Sequence, residues 1–476
     1  MLWFILALIV AFILVLLIRT LQFKPKDDVK LDESPVEIDK EASVSALAEL
    51  IRCKTVSYDD HSLEDDAEFE KLFSLLPTLY PTVMKTAEQI DMGNRALLFR
   101  WKGKTEGDPA VLMAHFDVVP VVTEGWEKPA FEAIVENGEM WGRGTLDTKV
   151  TFNGILSAAE NLMKQGFQPE HDIYFAFSGG EETNGPGAAK IVDYFEGIGV
   201  TPSLVVDEGG AVVNNVFPGV TVPAALIGLA EKGLMNLKYT VRSDGGHASA
   251  PKPHTPVGKL SMACAKVEAH PFDTKLCRPV LQMFDTLGRH SSFLYRLIFA
   301  NLWCFSGLLG GLAKKSGGTM NALMRTTVAF TQMQGGAAPN VIPPEATMVS
   351  NIRINPEESV QYVIDRINRV IGDPDVKVEV MVSDEPSRVS TTDCEGWQKV
   401  ACAAASTWKG ALVAPYLMTQ CSDSRNYGRI SDRVYRFSAQ DMTMEDVGRI
   451  HGNNERIRLE VIPRAVEFFY RLMKQC

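Results

Sequence analysis

The chain has 476 residues, more than a single hydrophobic core usually organises, so at least two domains are expected. Its 46% hydrophobic and 22% charged residues are those of a globular protein, and a net charge of -11 excludes a broad phosphate-neutralising surface and with it nucleic acid as a partner. Eight cysteines are scattered without a CxxC pair or structural-zinc spacing and read as mostly free thiols.

The stretch LWFILALIVAFILVLLI (2–18) carries no charge and is followed by Arg19, Lys24 and Lys26. At about 1.5 Å per residue it covers most of a hydrocarbon layer of about 30 Å. It lacks the basic start and small-x-small site of a cleaved signal peptide, so an uncleaved single-pass membrane anchor over residues 1–20 is expected, with the side of the membrane left open. Residues 21–40, which end in KPKDDVKLDESPVEIDK, read as a charged tether without core-forming residues.

An amphipathic helix starts near residue 41 (SVSALAELIR), and residues 41–235 then alternate helical and strand patterns as an α/β domain does. Three apolar runs in this part end in polar groups. AVLMA (110–114) ends in His115 and Asp117, IYFAF (173–177) in SGGEE, and SLVV (203–206) in DEGG. In a mostly parallel sheet, ligands bind beyond the carboxyl ends of strands, so three such endings describe one site. A helix cap or turn explains any one of them more easily than all three.

Residues 236–387 change character. LMNLKYTVRS alternates as a half-buried strand, and GGHASAPKPHTP is a turn before the helix PVGKLSMACAKVEA. TTVAFTQMQGG, ATMVSNIRINP and VKVEVMVS read as strands around a helix at 357–371, the pattern of a small antiparallel α+β domain inserted into the first. Within it, residues 279–325 are unusually apolar and read as helical packing or an acyl-facing surface. Residues 388–476 return to the first domain with a helix (GWQKVACAAASTWKG), strands and a closing helix (VIPRAVEFFYRLMKQ).

Side chains suited to a metal are His115, Asp147 in GRGTLDTK, Glu181 and Glu182 in SGGEET, Asp207 in VVDEGG, and His451 in RIHGNNE. Imidazole and carboxylate without thiolate fit zinc, manganese or cobalt. An acid shared by two cations, each completed by a His and another acid, is the minimal set for a two-metal hydrolase. If one of the adjacent glutamates binds metal, the other is placed to take a proton.

LMAHFDVVP, GWEKPAF, GRGTLDTK, SGGEE, VVDEGG, EKGLMNL, GGHASAP, APNVIPPEA, NIRINP, CSDSRNY and RIHGNNE, in that order from about residue 42 to the C-terminus, resemble the M20 metallopeptidases. The closest likeness is to the branch that holds N-fatty-acyl-amino-acid synthase/hydrolases and carboxypeptidase S. The resemblance implies a mostly parallel-sheet zinc-peptidase domain with an inserted α+β lid or dimerisation domain, and two zinc ions per subunit. His115 and Asp207 would hold one ion, Glu182 and His451 the other, with Asp147 between them. Glu181 would be the general base, Asp117 the acceptor that aims His115, and His247 the stabiliser of the oxyanion, from the same chain or a partner copy in a homodimer. Asn340, Arg353 and Arg425 would bind substrate. Thr148 after the bridging acid and Cys421 before SDSR depart from the common pattern without removing a ligand. The implied activity is cleavage of the amide bond of N-acyl, chiefly N-fatty-acyl, amino acids, with the reverse condensation open. The alternatives are an anchored carboxypeptidase or dipeptidase acting on short peptides and a non-catalytic metal-binding membrane protein.

Overall fold

Strands that are apolar on both faces need helices on both faces, and the three runs that end in polar groups become such strands. The computed structural model describes residues 1–26, 29–93, 95–216 and 219–476. Eight strands form the main sheet in the order β1 (Glu88–Asp91), β2 (Leu97–Trp101), β6 (Ile173–Ser178), β3 (Ala110–His115), β7 (Leu204–Val213), β16 (Val434–Met442), β8 (Ala224–Glu231) and β15 (Leu412–Met418). The central β6, β3, β7 and β16 are parallel, as are β8 and β15. β1 and β2 form an antiparallel edge, and β16 meets β8 antiparallel.

Alternation divides the side chains of β3 between two cores. Ala110, Leu112 and Ala114 face a cluster built by α2 (Lys40–Ile51), α3 (Asp66–Leu79), α4 (Pro81–Thr86), α5 (Lys149–Lys164), α13 (Glu395–Thr407) and α15 (Val461–Met473). Val111 and Met113 face the opposite cluster, against Ile191, Val192 and Phe195 of α6 (Gly187–Gly197). Burying such side chains contributes about 1.5–3 kcal/mol each, so the β3 register is strongly held and the side on which His115 emerges is set with it.

A second sheet has the antiparallel order β11 (Thr327–Gln334), β13 (Glu345–Ile354), β9 (Gly233–Arg242) and β14 (Lys377–Asp384). Met235, Leu237 and Tyr239 of β9 share its core with residues of α7 (Pro256–Ala269) and α12 (Val360–Ile371), the one-sided burial that their alternation implies. A ribbon of β10 (Gly246–His247) and β12 (Val341–Ile342) stands apart. A small sheet of β4 (Ile134–Glu136), β5 (Glu139–Trp141) and β17 (Arg456–Arg458), and α14 (Met444–Arg449), complete the part near the C-terminus.

Two segments differ from expectation. The helices α8 (Arg278–Arg289), α9 (Phe293–Ala300), α10 (Leu302–Ser316) and α11 (Gly318–Met324) lie within the insertion in sequence but do not join the core of the four-stranded sheet. Val280, Met283, Phe284 and Leu287 of α8 pack instead with Ala224, Leu226 and Ala230 of β8 and with Ala414 and Leu417 of β15. The edge of the main sheet is apolar there and needs a cover. The presumed tether is also partly docked: Val36 and Ile38 pack on the main core, the Arg471 guanidinium donates to the Asp32 carbonyl at 2.8 Å, and Gln165 donates to that of Glu37 at 2.8 Å. The 21-residue α1 (Leu2–Gln22) is long and apolar enough to cross a membrane, and most of it is exposed. All eight cysteines are free.

Lys232 sits between the last residue of β8 and the first of β9, where the chain passes from one sheet to the other. Its ammonium donates to the carbonyls of Ala322 (2.9 Å) and Arg325 (2.8 Å). Burial, aided by Arg353, pulls its pKa down to about 7. Between that value and its ordinary range the unfolded chain holds the extra proton, so this group makes the fold more stable as pH rises from about 7 towards 10. The difference in unfolding free energy between wild type and Lys232→Met, followed by urea titration in detergent across that range, is expected to move in favour of the wild type as pH rises; a flat difference contradicts the burial of this charge.

Candidate metal centre

The ends of β3 and β6 and the middle of β7, which continues through DEGG to Val213 and does not stop before it as expected, bring the polar groups together. His115 is the last residue of β3, Glu181 and Glu182 open a 3-10 turn just after β6, and Asp207 and Glu208 lie within β7. Asp147 precedes α5, and His451 follows α14. His115 Nε2 lies 3.2 Å from Asp147 Oδ1, while His451 Nε2 lies 3.1 Å from Asp147 Oδ2 and 3.1 Å from Glu182 Oε2. Asp147 therefore turns one oxygen to each imidazole. The donor atoms of His115, Asp147 and Glu182 all lie within 4.8 Å of one another, and so do those of His115, Glu181 and Glu208.

Asp207, expected as a ligand, and its neighbour Glu208 both interact with His115 but face different partners. Both oxygens of Asp207 are taken by backbone, Oδ1 accepting from Glu208 N and Oδ2 from Ser424 N, each at 2.9 Å. Glu208 Oε1 instead lies 3.4 Å from His115 Nε2. The cause is a bulge. Arg436 of β16 pairs with Asp207 and Phe437 with Gly210, so Glu208 and Gly209 are extra residues on β7 and the strand re-aims its side chains. Gly209 has φ 146°, and a Cβ there would lie 2.6 Å from that of Arg436, so only glycine fits the turn.

Asp117 lies on the same side as His115 but holds more than the imidazole. His115 Nδ1 is 3.0 Å from the Asp117 backbone oxygen and 3.4 Å from its carboxylate. The two carboxylate oxygens accept the backbone N–H groups of Glu181 and Glu182, each at 3.2 Å. Asp117 thus aims the ligand at the end of β3 and also fixes the turn that presents both glutamates. His451 adopts φ 60°, a left-handed conformation that costs a non-glycine residue about 1–2 kcal/mol and here lets the ring turn to Asp147 and Glu182.

The electrostatics of the centre call for positive charge. Burial pushes Glu181 well above the usual carboxylate range, Glu208 up to about 8 and Asp423 up to about 7, neighbouring acids adding to it. His451 is raised to about 10 by its bonds to Asp147 and Glu182. Burial opposes protonation of His115, but Glu208, Asp117 and Asp147 outweigh it. Several acids share two imidazoles, and among the described residues the buried Glu182 Oε1 has no hydrogen-bond partner. Divalent cations would relieve both the crowding and the unpaired oxygen, and the all-oxygen-and-imidazole donors match zinc, manganese or cobalt.

Glu455, in the RIHGNNE stretch and not marked by the sequence as functional, anchors Asp147 from behind. Its buried carboxylate accepts from Arg143 (2.7 Å) and from the backbone N–H groups of Gly144 (3.0 Å), Leu146 (2.7 Å) and Asp147 (3.3 Å). The only signal for it in the sequence is an acid four residues after His451.

The other expected site residues lie on or near the second sheet. His247 is exposed in the β10–β12 ribbon, its ring bonded to Ser249 at 2.7 Å, and the Asn340 carbonyl accepts from Ala248 N at 3.0 Å. Arg353 on β13 donates to Cys421 Sγ at 3.4 Å, so Cys421 lies against a proposed substrate residue. Arg425 donates to Asp384 of β14 at 3.4 Å and to Asn184, just after the Glu181–Glu182 turn. The structure thus gathers His115, Asp117, Asp147, Glu181, Glu182, Glu208 and His451. His247 and Asn340 share a separate ribbon, and Arg353 and Arg425 flank Cys421 at the seam between the sheets.

A sequence model of peptidase family M20/M25/M40 matches residues 111–475. The chain belongs to this family. It is 34% identical to "Probable carboxypeptidase S-like 2" of Dictyostelium discoideum over 98% of this chain and 92% of that one. It is 35% identical to "N-fatty-acyl-amino acid synthase/hydrolase PM20D1" of Xenopus tropicalis over 98% and 93%. Its fold is similar to that of an M20 family metallo-carboxypeptidase, Sso-CP2, from Sulfolobus solfataricus, with a TM-score of 0.65 and 16% identity over 91% of this chain and 98% of that one. This M20 chain is accordingly a metal-dependent hydrolase of the peptidase and amidohydrolase type.

Removing the Glu455 carboxylate would leave Arg143 uncompensated in the interior and several backbone donors unpaired. Glu455→Ala is expected to lower the unfolding free energy by about 3–5 kcal/mol in chemical denaturation, and a loss below about 1 kcal/mol would show the loop to be held by other contacts.

Proposed function

We propose that this chain is a membrane-anchored, two-cation amidohydrolase that cleaves N-fatty-acyl amino acids into fatty acid and amino acid, and that can run the condensation in reverse. The observation that carries the two-cation reading is Asp147, whose two oxygens point to two different imidazoles. His115, Glu208 and Asp147 would hold one ion and Glu182, His451 and Asp147 the other. Bound there, the pair of divalent cations would acidify a water and polarise the substrate carbonyl.

The chain's own groups would do the rest. Glu181, 4.0 Å from His115 and buried among acids that raise its proton affinity, takes the proton of the attacking water and returns it to the leaving amine nitrogen. Asp117 keeps the Glu181–Glu182 turn in register with His115. His247 donates to the oxyanion once the β10–β12 ribbon of this chain, or of a second copy, swings to the centre. Asn340 binds beside it, and the guanidinium forks of Arg353 and Arg425 suit a substrate carboxylate. The fatty-acyl part of the reading is supported by the relatives named for that substrate and by the apolar α9–α10 segment.

A second reading, an anchored carboxypeptidase acting on short peptides, is favoured by the equally similar carboxypeptidase S-like relative and uses the same centre. Turnover of N-oleoyl-phenylalanine set against a glycyl dipeptide separates them: hydrolysis of the dipeptide alone would sink the first reading. Glu181→Gln is expected to cut turnover by about 10²–10⁴-fold with the metal content of dialysed protein unchanged. Glu208→Ala should lose bound metal while Asp207→Asn keeps it, as read by elemental analysis; the reverse pattern would return Asp207 to the ligand set.

A further inference from the structure

Helices α9 and α10 meet at 109° in an elbow at Ala300–Asn301. Between residues 293 and 313 the only charged residue is Arg296, and its guanidinium donates to the Ser291 carbonyl at 3.1 Å. Phe293, Leu294, Trp303, Leu308 and Leu312 are each more than half exposed, Leu294 most at 66%. In water this outer face would be a large unpartnered apolar patch. Lys314 and Lys315 end α10.

The elbow is docked on α1. Asn301 Nδ2 donates to the Leu16 carbonyl at 3.2 Å and approaches Thr20 Oγ1 at 3.4 Å, and Arg19 Nε donates to the Ala300 carbonyl at 3.1 Å. Trp303 meets Phe12 edge to face, with ring centroids 6.0 Å apart. Phe12 lies ten residues before Gln22, about 15 Å up the helix axis. If α1 crosses a layer about 30 Å thick, the ring that touches Phe12 stands near the middle of that layer, and α10 cannot remain outside it.

Backbone satisfaction supports the same placement. A broken helix in hydrocarbon must pair the carbonyls freed by the break, because no water is there to do so. At this elbow the Leu297 carbonyl accepts from Asn301 Nδ2 (2.9 Å), the Ala300 carbonyl from Arg19, and the Asn301 carbonyl from the N–H groups of Cys304 (2.9 Å) and Phe305 (3.1 Å). The lysines at the end of α10 suit the interfacial zone, where long cationic side chains reach headgroups.

We propose that α9 and α10 form a re-entrant arm that enters the hydrocarbon of the bilayer beside α1, so that the catalytic body is seated on the membrane by two elements and not tethered by one. The partner is the lipid layer itself. This rests on the reading of α1 as a retained anchor, and the test separates the two.

The full chain is reconstituted in phosphatidylcholine vesicles with or without bromine on the acyl chains, and tryptophan quenching is compared for wild type, Trp3→Phe, Trp303→Phe and the double variant. Trp3 reports α1 and Trp303 reports the arm. The expected result is that Trp303→Phe removes a large share of the quenchable emission, and that the double variant loses nearly all of it. Quenching that Trp303→Phe leaves unchanged while Trp3→Phe reduces it overturns the arm and leaves the anchor; loss of neither share overturns both. In the unsubstituted chain, exposed Cys304 of α10 provides an independent reading. A charged maleimide should leave it unmodified in vesicles and modify it after unfolding in urea. Full modification in intact vesicles overturns the arm.

Discussion

The structure depends on keeping several carboxylates and two imidazoles together at the end of a parallel sheet, in a place where charge is costly. Placing these acids at the ends of β3 and β6 and within β7 takes them out of water, and burial drives most of their proton affinities up. The surrounding chain is arranged to bear that cost without rearranging. Asp117 accepts two backbone donors of the glutamate turn, Glu455 accepts three from the loop that ends in Asp147, and Asp207 accepts one from the segment that carries Arg425. Asp117, Glu455 and Asp207 thus each fix one loop near the site. That division separates acids that face the centre from acids that hold its walls.

The same logic extends to the seam between the sheets. Glu231 closes β8 and accepts from Ser422 N and Oγ, Ser424 Oγ and Arg436. Lys232 follows it and donates to carbonyls of the α11 end. These two residues, of opposite sign and pointing to opposite partners, fix the 421–425 segment on one side and the root of the second sheet on the other. Arg353, Cys421 and Arg425 meet at that seam, so a change in the angle between sheets would alter the distance from both guanidinium groups to the metal donors. On the proposed function, substrate binding and sheet movement would be coupled through these contacts.

Much of this was legible in the sequence, for physical reasons. Apolar runs that end in His or paired acids mark strand ends in a parallel sheet, and β3 and β6 lie where AVLMA and IYFAF put them. The aim of the Glu208 side chain was not legible. A run such as SLVV says that a strand is present but not where its pleat is broken, and the bulge at Glu208–Gly209 that aims Glu208 at His115 arises from pairing with β16, more than two hundred residues later. Glu455 was hidden for the same reason: its role is to satisfy backbone donors of a loop distant in sequence. The helices from 278 to 324 belong by sequence to the insertion, yet the apolar edge at β8 and β15 claims them, and no local pattern states which of two sheets a helix will cover.

A substrate made of an amino acid joined to a long chain has two ends with opposite demands, and the architecture separates them. The carboxylate end calls for guanidinium groups, and on the proposed function Arg353 and Arg425 at the seam between the sheets would supply them. The hydrocarbon end calls for a surface continuous with lipid, because each methylene moved from lipid into water costs about 0.8 kcal/mol. The helices α8 to α11 connect those two regions: α8 packs on β8 and β15 of the catalytic sheet, while α9 and α10 lean on α1. An enzyme built this way would draw an amphiphile from the layer in which it is already concentrated, and its efficiency would reflect the composition of that layer as well as the chemistry of the centre. A short peptide gains nothing from such a seat, so the position of the arm beside the anchor weighs towards the fatty-acyl reading.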